Sequence, residues 1–264
     1  MIHSQHAHRA AANSTFDMWK ALGVRFIETE TLALVHSGIA YDMFNRAIVK
    51  DPLAFDITEI DAIEASFDGM PHSWVMRTSA RDAEFAGLFY RRGLAPIGIF
   101  AGMILNLRSH PAVPSDSCAD SCEIELLSNG SSLCGLEAIF RDAWYWPDSA
   151  LQYFIDLHIK SLSRAPAPFI HFQLTARESQ QRRPVSVGSL LLDGSVVGLY
   201  NIATHRGMRG RGFASALIMR MLDEAKKRGH THACLLAFPG VDRLYARLGF
   251  ETVCHFQIFS PKAT

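Results

Sequence analysis

The stretch Arg206-Gly207-Met208-Arg209-Gly210-Arg211-Gly212-Phe213-Ala214 constrains this chain more than any other. Before it runs Val196 to Thr204, apolar, free of proline and rich in β-branched and aromatic residues, which predicts a strand. After it, Ala214, Leu217, Ile218, Met221, Leu222 and Ala225 repeat at the spacing of an amphipathic helix that reaches Arg228. Asp223 with Lys227 and Glu224 with Arg228 stand one turn apart on its wet face, acid first, and Gly229 can cap its end. Glycines between a buried strand and a helix N-terminus let backbone N–H groups approach an anion closely, and the helix dipole adds positive potential. Arg206, Arg209 and Arg211 add full charges, so a diphosphate is the natural guest. An RNA-binding arginine–glycine segment would need disorder, and this one is bracketed by regular elements. A dinucleotide fingerprint needs G-x-G-x-x-G with an acid about twenty residues on; the order here is Arg-x-x-Gly-x-Ala. A plain tight turn is the remaining alternative.

With 264 residues, 48% of them hydrophobic, the chain can bury one large core or two smaller ones. Lys and Arg number 26 and so do Asp and Glu, so no bulk field draws it to nucleic acid or a membrane surface. No apolar stretch approaches the ~20 residues that span a bilayer. Met1 to Thr15 has no apolar core segment and does not read as a signal peptide. Its His3, His6 and His8 are conceivable metal ligands, but a frayed terminus is the simpler reading. The cysteines, Cys118, Cys122, Cys134, Cys234 and Cys254, are odd in number and scattered, which suits reduced thiols in a cytoplasmic protein. Cys118 and Cys122 could form half a metal site, but no second Cys/His pair completes it, so no metal is expected.

Pattern and punctuation divide the rest. In the first part, helices are expected over Phe16–Leu22, Ile57–Phe67, with a capping-box start from Thr58 to Asp61, and Asp82–Arg92. Strands are expected over Arg25–Val35, Met43–Val49, Ser73–Met76 and the apolar run Leu94–Leu107. A segment rich in proline, serine and aspartate then reads as a linker, 109–120, between domains 1–108 and 121–264. In the second part, strands are expected over Cys122–Leu127, Phe169–Ala176, Pro184–Leu192, Thr231–Phe238 and Val253–Phe259. Helices are expected over Leu133–Ala143, Ser149–Leu162 and Asp242–Leu248, the last stopped by Gly249. Asp193-Gly194 is a two-residue hairpin signal that pairs Val185–Leu192 with Val196–Thr204.

Two motifs resemble one known family. Arg209 to Ala214 fits the (Gln/Arg)-x-x-Gly-x-(Gly/Ala) loop of the GNAT superfamily of N-acetyltransferases. Leu244-Tyr245-Ala246-Arg247-Leu248-Gly249-Phe250 is similar to its Tyr-x-x-x-Gly-Phe signature, one helix and one strand downstream, as in the family. The resemblance implies an α/β (α+β) fold: a mixed, mostly antiparallel sheet with flanking helices. An internal echo extends it: Leu88-Phe89-Tyr90-Arg91-Arg92-Gly93-Leu94 is similar to Arg243–Phe250. Where a glycine loop would then fall, the first half has Lys50-Asp51-Pro52-Leu53-Ala54-Phe55-Asp56, with two acids and no glycine. The chain thus resembles a tandem GNAT protein, with a degenerate half at 1–108 and a catalytic half at 121–264.

The family's activity is acyl transfer from a thioester to an amine, with acetyl-CoA as co-substrate and a small-molecule or peptide amine as acceptor. By this resemblance the backbone of Arg209, Gly210, Arg211, Gly212, Phe213, Ala214 and Ser215 would hold the diphosphate. Ile202, Ala203 and Thr204 would bond the pantetheine arm, one N–H facing the thioester oxygen; the family more often has Val where Thr204 stands. Tyr245 falls on the family's tyrosine, whose hydroxyl can donate to the departing sulfur, and a phenol of pKa about 10 stays protonated at neutral pH. No motif fixes the base: Glu137, Asp142, His171, Glu178 and Asp193 are candidates, though a histidine in an apolar strand is more often a satisfied core residue. Trp144-Tyr145-Trp146 can line an acceptor pocket or merely pack the two domains together. The resemblance requires no nucleic acid and no membrane, and leaves room for a homodimer. The competing reading is an acyl-CoA-binding or regulatory module without turnover.

Overall fold

The structure is a computed structural model that describes residues 17–110, 122–127, 133–178, 181–193 and 196–261. In chain order the first elements are α1 (Asp17–Leu22), β1 (Arg25–Glu28), β2 (Leu32–His36), β3 (Arg46–Val49), α2 (Ile60–Ser66), β4 (Ser73–Arg77), α3 (Asp82–Arg91) and β5 (Leu94–Asn106). There follow β6 (Cys122–Leu127), α4 (Cys134–Ala143), α5 (Asp148–Leu162), β7 (Phe169–Glu178), β8 (Gln181–Asp193), β9 (Val196–Thr204), α6 (Phe213–Lys227), β10 (His232–Ala237), α7 (Asp242–Arg247) and β11 (Glu251–Pro261). Strand pairing is mostly antiparallel, with parallel pairs at β3–β4 and β9–β10, so the fold is the expected mixed α/β class. Three strands, a crossover helix, a parallel strand, a helix and a last strand occur in that order twice along the chain.

Over its described residues the chain forms two compact units. One comprises 23–103, 236–243 and 252–261; the other comprises 17–22, the described residues of 104–235, and 244–251. In the first, strands lie in the order β1-β2-β3-β4-β11-β5, so the last strand of the chain is built into a sheet made otherwise by its beginning. The single strand expected over Arg25–Val35 is two. Thr29 breaks it: its N–H donates to Leu32 O at 2.8 Å, and its hydroxyl oxygen accepts from Leu32 N at 3.1 Å, closing a tight turn that pairs β1 with β2. The helix expected over Ile57–Phe67 opens at Ile57 as a 3-10 turn, Ile57–Glu59, but its cap is Asp56, whose Oδ1 accepts from Thr58 N at 2.9 Å, and not a box begun by Thr58. Phe55, Trp74, Phe85, Phe89 and Phe259 form the centre of this core, with Trp74 5.0 Å and Phe259 4.9 Å from the Phe89 ring. Each such ring contributes about 1.5–3 kcal/mol by leaving water.

The second unit carries the order β10-β9-β8-β7-β6. Its sheet is covered on both faces. Gly188 turns toward α6, where an added Cβ would meet Met221 and Leu217, and Arg220 lies over the Phe172 ring. The opposite face takes α4 and α5: Gly135 of α4 closes on Gln173 and Pro184, and His158 of α5 packs on Phe169 and His171. The β8–β9 ladder runs to Asp193↔Val196, as a hairpin there requires, while 194–195, the expected turn, lie outside the described residues. No helix among the described residues is long and apolar enough to cross a membrane. One expectation needs correction: Cys122 is disulfide-bonded, whereas Cys134, Cys234 and Cys254 are free thiols as expected. Cys118, the proposed linker core and the three N-terminal histidines lie outside the described residues.

Candidate functional site

The site is built on β9. Opposite β8 the ladder pairs Ser189 with Tyr200 and Val187 with Ala203, so Gly188 faces two residues, Asn201 and Ile202. This is a β-bulge, and Asn201 takes it up in the left-handed region at φ 58°. Bulges bend the strand that carries the extra residue. On the other side β9 pairs in parallel with β10 only from His232↔Val196 to Cys234↔Gly198, yet it runs on to Thr204. The backbone of Ile202, Ala203 and Thr204 therefore presents an edge without a β10 partner, which an extended, amide-bearing ligand can pair with.

Beyond Thr204 the chain makes a 3-10 turn, Arg206–Met208, whose Met208 side chain is buried and anchors it. Asp142 at the end of α4 fixes the start of this turn: its Oδ2 accepts from the Arg206 N–H at 2.6 Å, and its Oδ1 lies 3.7 Å from His205 Nε2. The Arg206 guanidinium covers the exposed Tyr145 ring, 3.8 Å from its centroid, and donates to its hydroxyl. Arg209 folds back so that its Nε–H donates to Thr204 O at 3.2 Å, tying loop to strand end. Gly210 and Gly212 then hold φ of 77° and 83°, and a Cβ at either would meet nothing within 4 Å. The backbone angle, not crowding, therefore demands glycine at both. Gly212 is the N-cap of α6 and supplies no side chain, the first turn holds no acid, and the first intrahelical bond runs from Ala216 N to Gly212 O at 3.0 Å. The N–H groups of Phe213, Ala214 and Ser215 precede that bond, so they have no intrahelical acceptor and point out of an exposed, cationic loop.

Tyr245 lies in α7, 7% exposed, its ring edge-on to Phe250 at 5.9 Å. Burial pushes its hydroxyl up to about 12, so it is protonated throughout the neutral range. Gly249 at φ 89° ends the helix, with Phe250 N–H donating to Tyr245 O at 3.0 Å; the Tyr-x-x-x-Gly-Phe spacing is that of a glycine-capped helix end. Of the base candidates, Glu137 is paired with Arg141 at 3.0 Å and Asp142 is engaged by the loop. His171 is fully buried against Ser189, and desolvation holds it neutral by lowering it to about 4. The side chains of Glu178 and Asp193 lie outside those described. Trp144 stacks on Phe140 of α4 at 4.3 Å, and Trp146 lies tilted against Trp144 and edge-on to Phe154 of α5 at 5.2 Å, so the pair packs α4 against α5. Among the described residues no cluster could hold a metal ion. The bulge and the Asp142 anchor had no motif to announce them; an asparagine inside an apolar strand was the one available sign of the bulge.

Residues 134–250 match the model of the Acetyltransferase (GNAT) family. The sequence matches no curated protein closely enough to count as a relative. Among solved structures, a GCN5-related N-acetyltransferase from Kribbella flavida superposes with TM-score 0.69 at 16% identity, over 96% of each chain. One from Sphaerobacter thermophilus gives TM-score 0.63 at 14% identity, over 87% of this chain and 76% of that one. A tandem GNAT protein from the clavulanic acid biosynthesis pathway gives TM-score 0.55 at 13% identity, over 88% and 79%. The fold is therefore that of the GNAT N-acetyltransferases.

Proposed function

We propose that the chain is an N-acyltransferase that moves an acetyl group from acetyl-CoA to an amine of a small molecule or peptide, by direct attack and without a covalent enzyme intermediate. One observation carries this reading: an unpaired strand edge leads directly into an open glycine loop at an uncapped helix N-terminus. The N–H groups of the loop and first turn, from Arg209 to Ser215, take the diphosphate. The edge of Ile202, Ala203 and Thr204 pairs with the amides of the pantetheine arm, and an N–H at the bulge meets the thioester oxygen. Attack forms the C–N bond and puts negative charge on that oxygen, where a fixed donor is worth most. Collapse breaks the C–S bond; the sulfur leaves with the electron pair, and the amine proton passes to solvent. Tyr245 donates to the departing sulfur. From a phenol held near 12, full transfer to a thiolate of about 8.5 is uphill, so hydrogen-bond donation during C–S cleavage is the share its hydroxyl does best. In this reading 121–264 is the catalytic half, 1–108 a GNAT-like half without a donor site, and 109–120 their linker.

A second reading, an acyl-CoA-binding module without turnover, draws on the base candidates: Asp142 and His171 are both committed to internal bonds. Thiol release from acetyl-CoA across a panel of amines separates the two. An amine-dependent rate supports the enzyme. Tight CoA binding with no such rate across the panel supports the module, and an absence of CoA binding sinks both.

A further inference from the structure

Behind the bulge lies a buried polar group that the reaction outlined above does not use. His158 of α5, His171 of β7 and Ser189 of β8 are each 0% exposed. His171 Nδ1 is 2.8 Å from Ser189 Oγ. The Asn201 amide donates to Ser189 Oγ at 3.3 Å and to His158 Nε2 at 3.1 Å. The two imidazoles meet edge to face at 4.9 Å, and Phe154 and Phe169 close the surroundings. His158 Nδ1 and His171 Nε2 have no hydrogen-bond partner. Apolar side chains would fill this space at lower cost, since every buried polar atom left unmatched is penalised. What the cluster accomplishes is visible at Asn201: α5 and β8 both bond the side chain of the one non-glycine residue in β9 with positive φ, and His171 of β7 backs Ser189.

We infer that Asn201 is a positioning residue for acyl transfer: gripped by His158 and Ser189, its amide fixes which residue of β9 is the extra one and so aims the backbone of Ile202 and Ala203 at the thioester carbonyl. This rests on the donor-site reading proposed above. A bulge in an otherwise regular ladder can slide by one residue, and such a slip turns every later side chain and N–H to the opposite side. Left-handed backbone at a non-glycine residue is itself unfavourable, and asparagine tolerates it best. Together the side-chain grip and the choice of asparagine hold one register. The diphosphate loop is secured separately, by Met208 and Asp142, so donor affinity and carbonyl alignment are separable.

The test uses acetyl-CoA labelled with carbon-13 at the thioester carbonyl, bound to the full chain and read by isotope-edited infrared spectroscopy. In the parent the bound carbonyl band is narrow and lies below its frequency in water, because a fixed N–H meets the oxygen. Asn201→Gly permits the left-handed angle but removes the grip. It is expected to keep acetyl-CoA affinity within about threefold of the parent while the band broadens and moves back toward the solution value. Ser189→Ala, which leaves β9 untouched, moves it the same way by less and decides the matter if the glycine variant does not fold. With an amine in hand, kcat falls about tenfold at unchanged donor affinity, the mark of an interaction made in the transition state. Folded variants that retain the parental band overturn the inference. A parent that binds acetyl-CoA with an unshifted band overturns it too, while leaving the donor site standing. A parent that binds no acetyl-CoA overturns the donor site and this inference with it.

Discussion

At Tyr245 chemistry and packing make different predictions. The ring is buried against Phe250 and the hydroxyl is held protonated. Tyr245→Phe fills nearly the same volume, so packing alone predicts little change in rate. If the hydroxyl donates to the leaving sulfur, kcat falls about 10²-fold, the lower end of acid–base contributions, with CoA affinity unchanged. Steady-state kinetics on the folded variant decides between them, and a kcat within about twofold of the parent removes Tyr245 from the catalytic residues. His171 makes a stability prediction. Its folded pKa, about 4, lies below the ordinary 6.5, so its contribution is present above pH 6.5 and is lost as pH falls toward 4. At pH 5.5 the unfolded imidazole is mostly protonated and the folded one is not, a loss of about 1.4 kcal/mol from this residue. His158 is displaced in the same direction by burial. Denaturant titrations at pH 7.5 and 5.5 should therefore show the acid loss of His171→Phe smaller than the parent's by about that amount; equal losses would mean that His171 titrates normally in the folded chain. Tyr245 was legible in the sequence because a tyrosine four residues before Gly-Phe is a local pattern. The role of Asn201 was not, because a bulge exists only relative to the partner strand.

Among the elements, the strand–loop–helix of β9 and α6 was the most legible, and the reason is physical. Strand composition, glycine at positions that need positive φ and an apolar stripe at helical spacing all agree over a short span, and tertiary contacts need not override any of them. The misreadings fell where a side chain closes a turn on itself, as Thr29 does between β1 and β2 and Asp56 does before α2. Such local bonds depend on which competing conformation wins, and composition does not settle that. The element-scale prediction concerns the N-terminus of α6. Gly212→Asp places a Cβ on a backbone at φ 83° and a negative charge beside N–H groups that would otherwise meet a diphosphate. An aspartate there can also cap the helix and occupy those donors itself. CoA affinity should collapse, by at least about a hundredfold if two charge-assisted bonds are lost, while the helix is retained. Calorimetry on the folded variant that returned parental CoA affinity would move the diphosphate elsewhere.

At the scale of the whole molecule the same order of elements occurs twice, and the two crossover loops are chemically opposite. Between β9 and α6 the helix end has free donors, no acid in its first turn and a glycine cap. Between β3 and α2 the donors are already taken. Asp51 Oδ1 accepts from Leu53 N at 3.1 Å and from Ala54 N at 3.4 Å, and Asp56 Oδ1 accepts the Thr58 N–H and hydroxyl at 2.9 and 2.8 Å. Arg81, a cation that could otherwise attract phosphate, spends its Nη1 on Pro52 O and Phe55 O and its Nε on Glu84. An incoming diphosphate would meet two carboxylates instead of open N–H groups, and would have to displace bonds that close the loop. The chain should therefore bind one CoA, at the loop 206–215. Titration calorimetry is expected to give a stoichiometry of about one per 264-residue chain, and hydrogen exchange should show CoA-dependent protection confined to β9, the glycine loop and the start of α6. Gly212→Asp makes the test strict. If it abolishes all heat of binding, the β3–α2 crossover holds no second donor site; if one CoA still binds to the folded variant, the carboxylates of that loop do not exclude the ligand and the asymmetry argued from them is wrong.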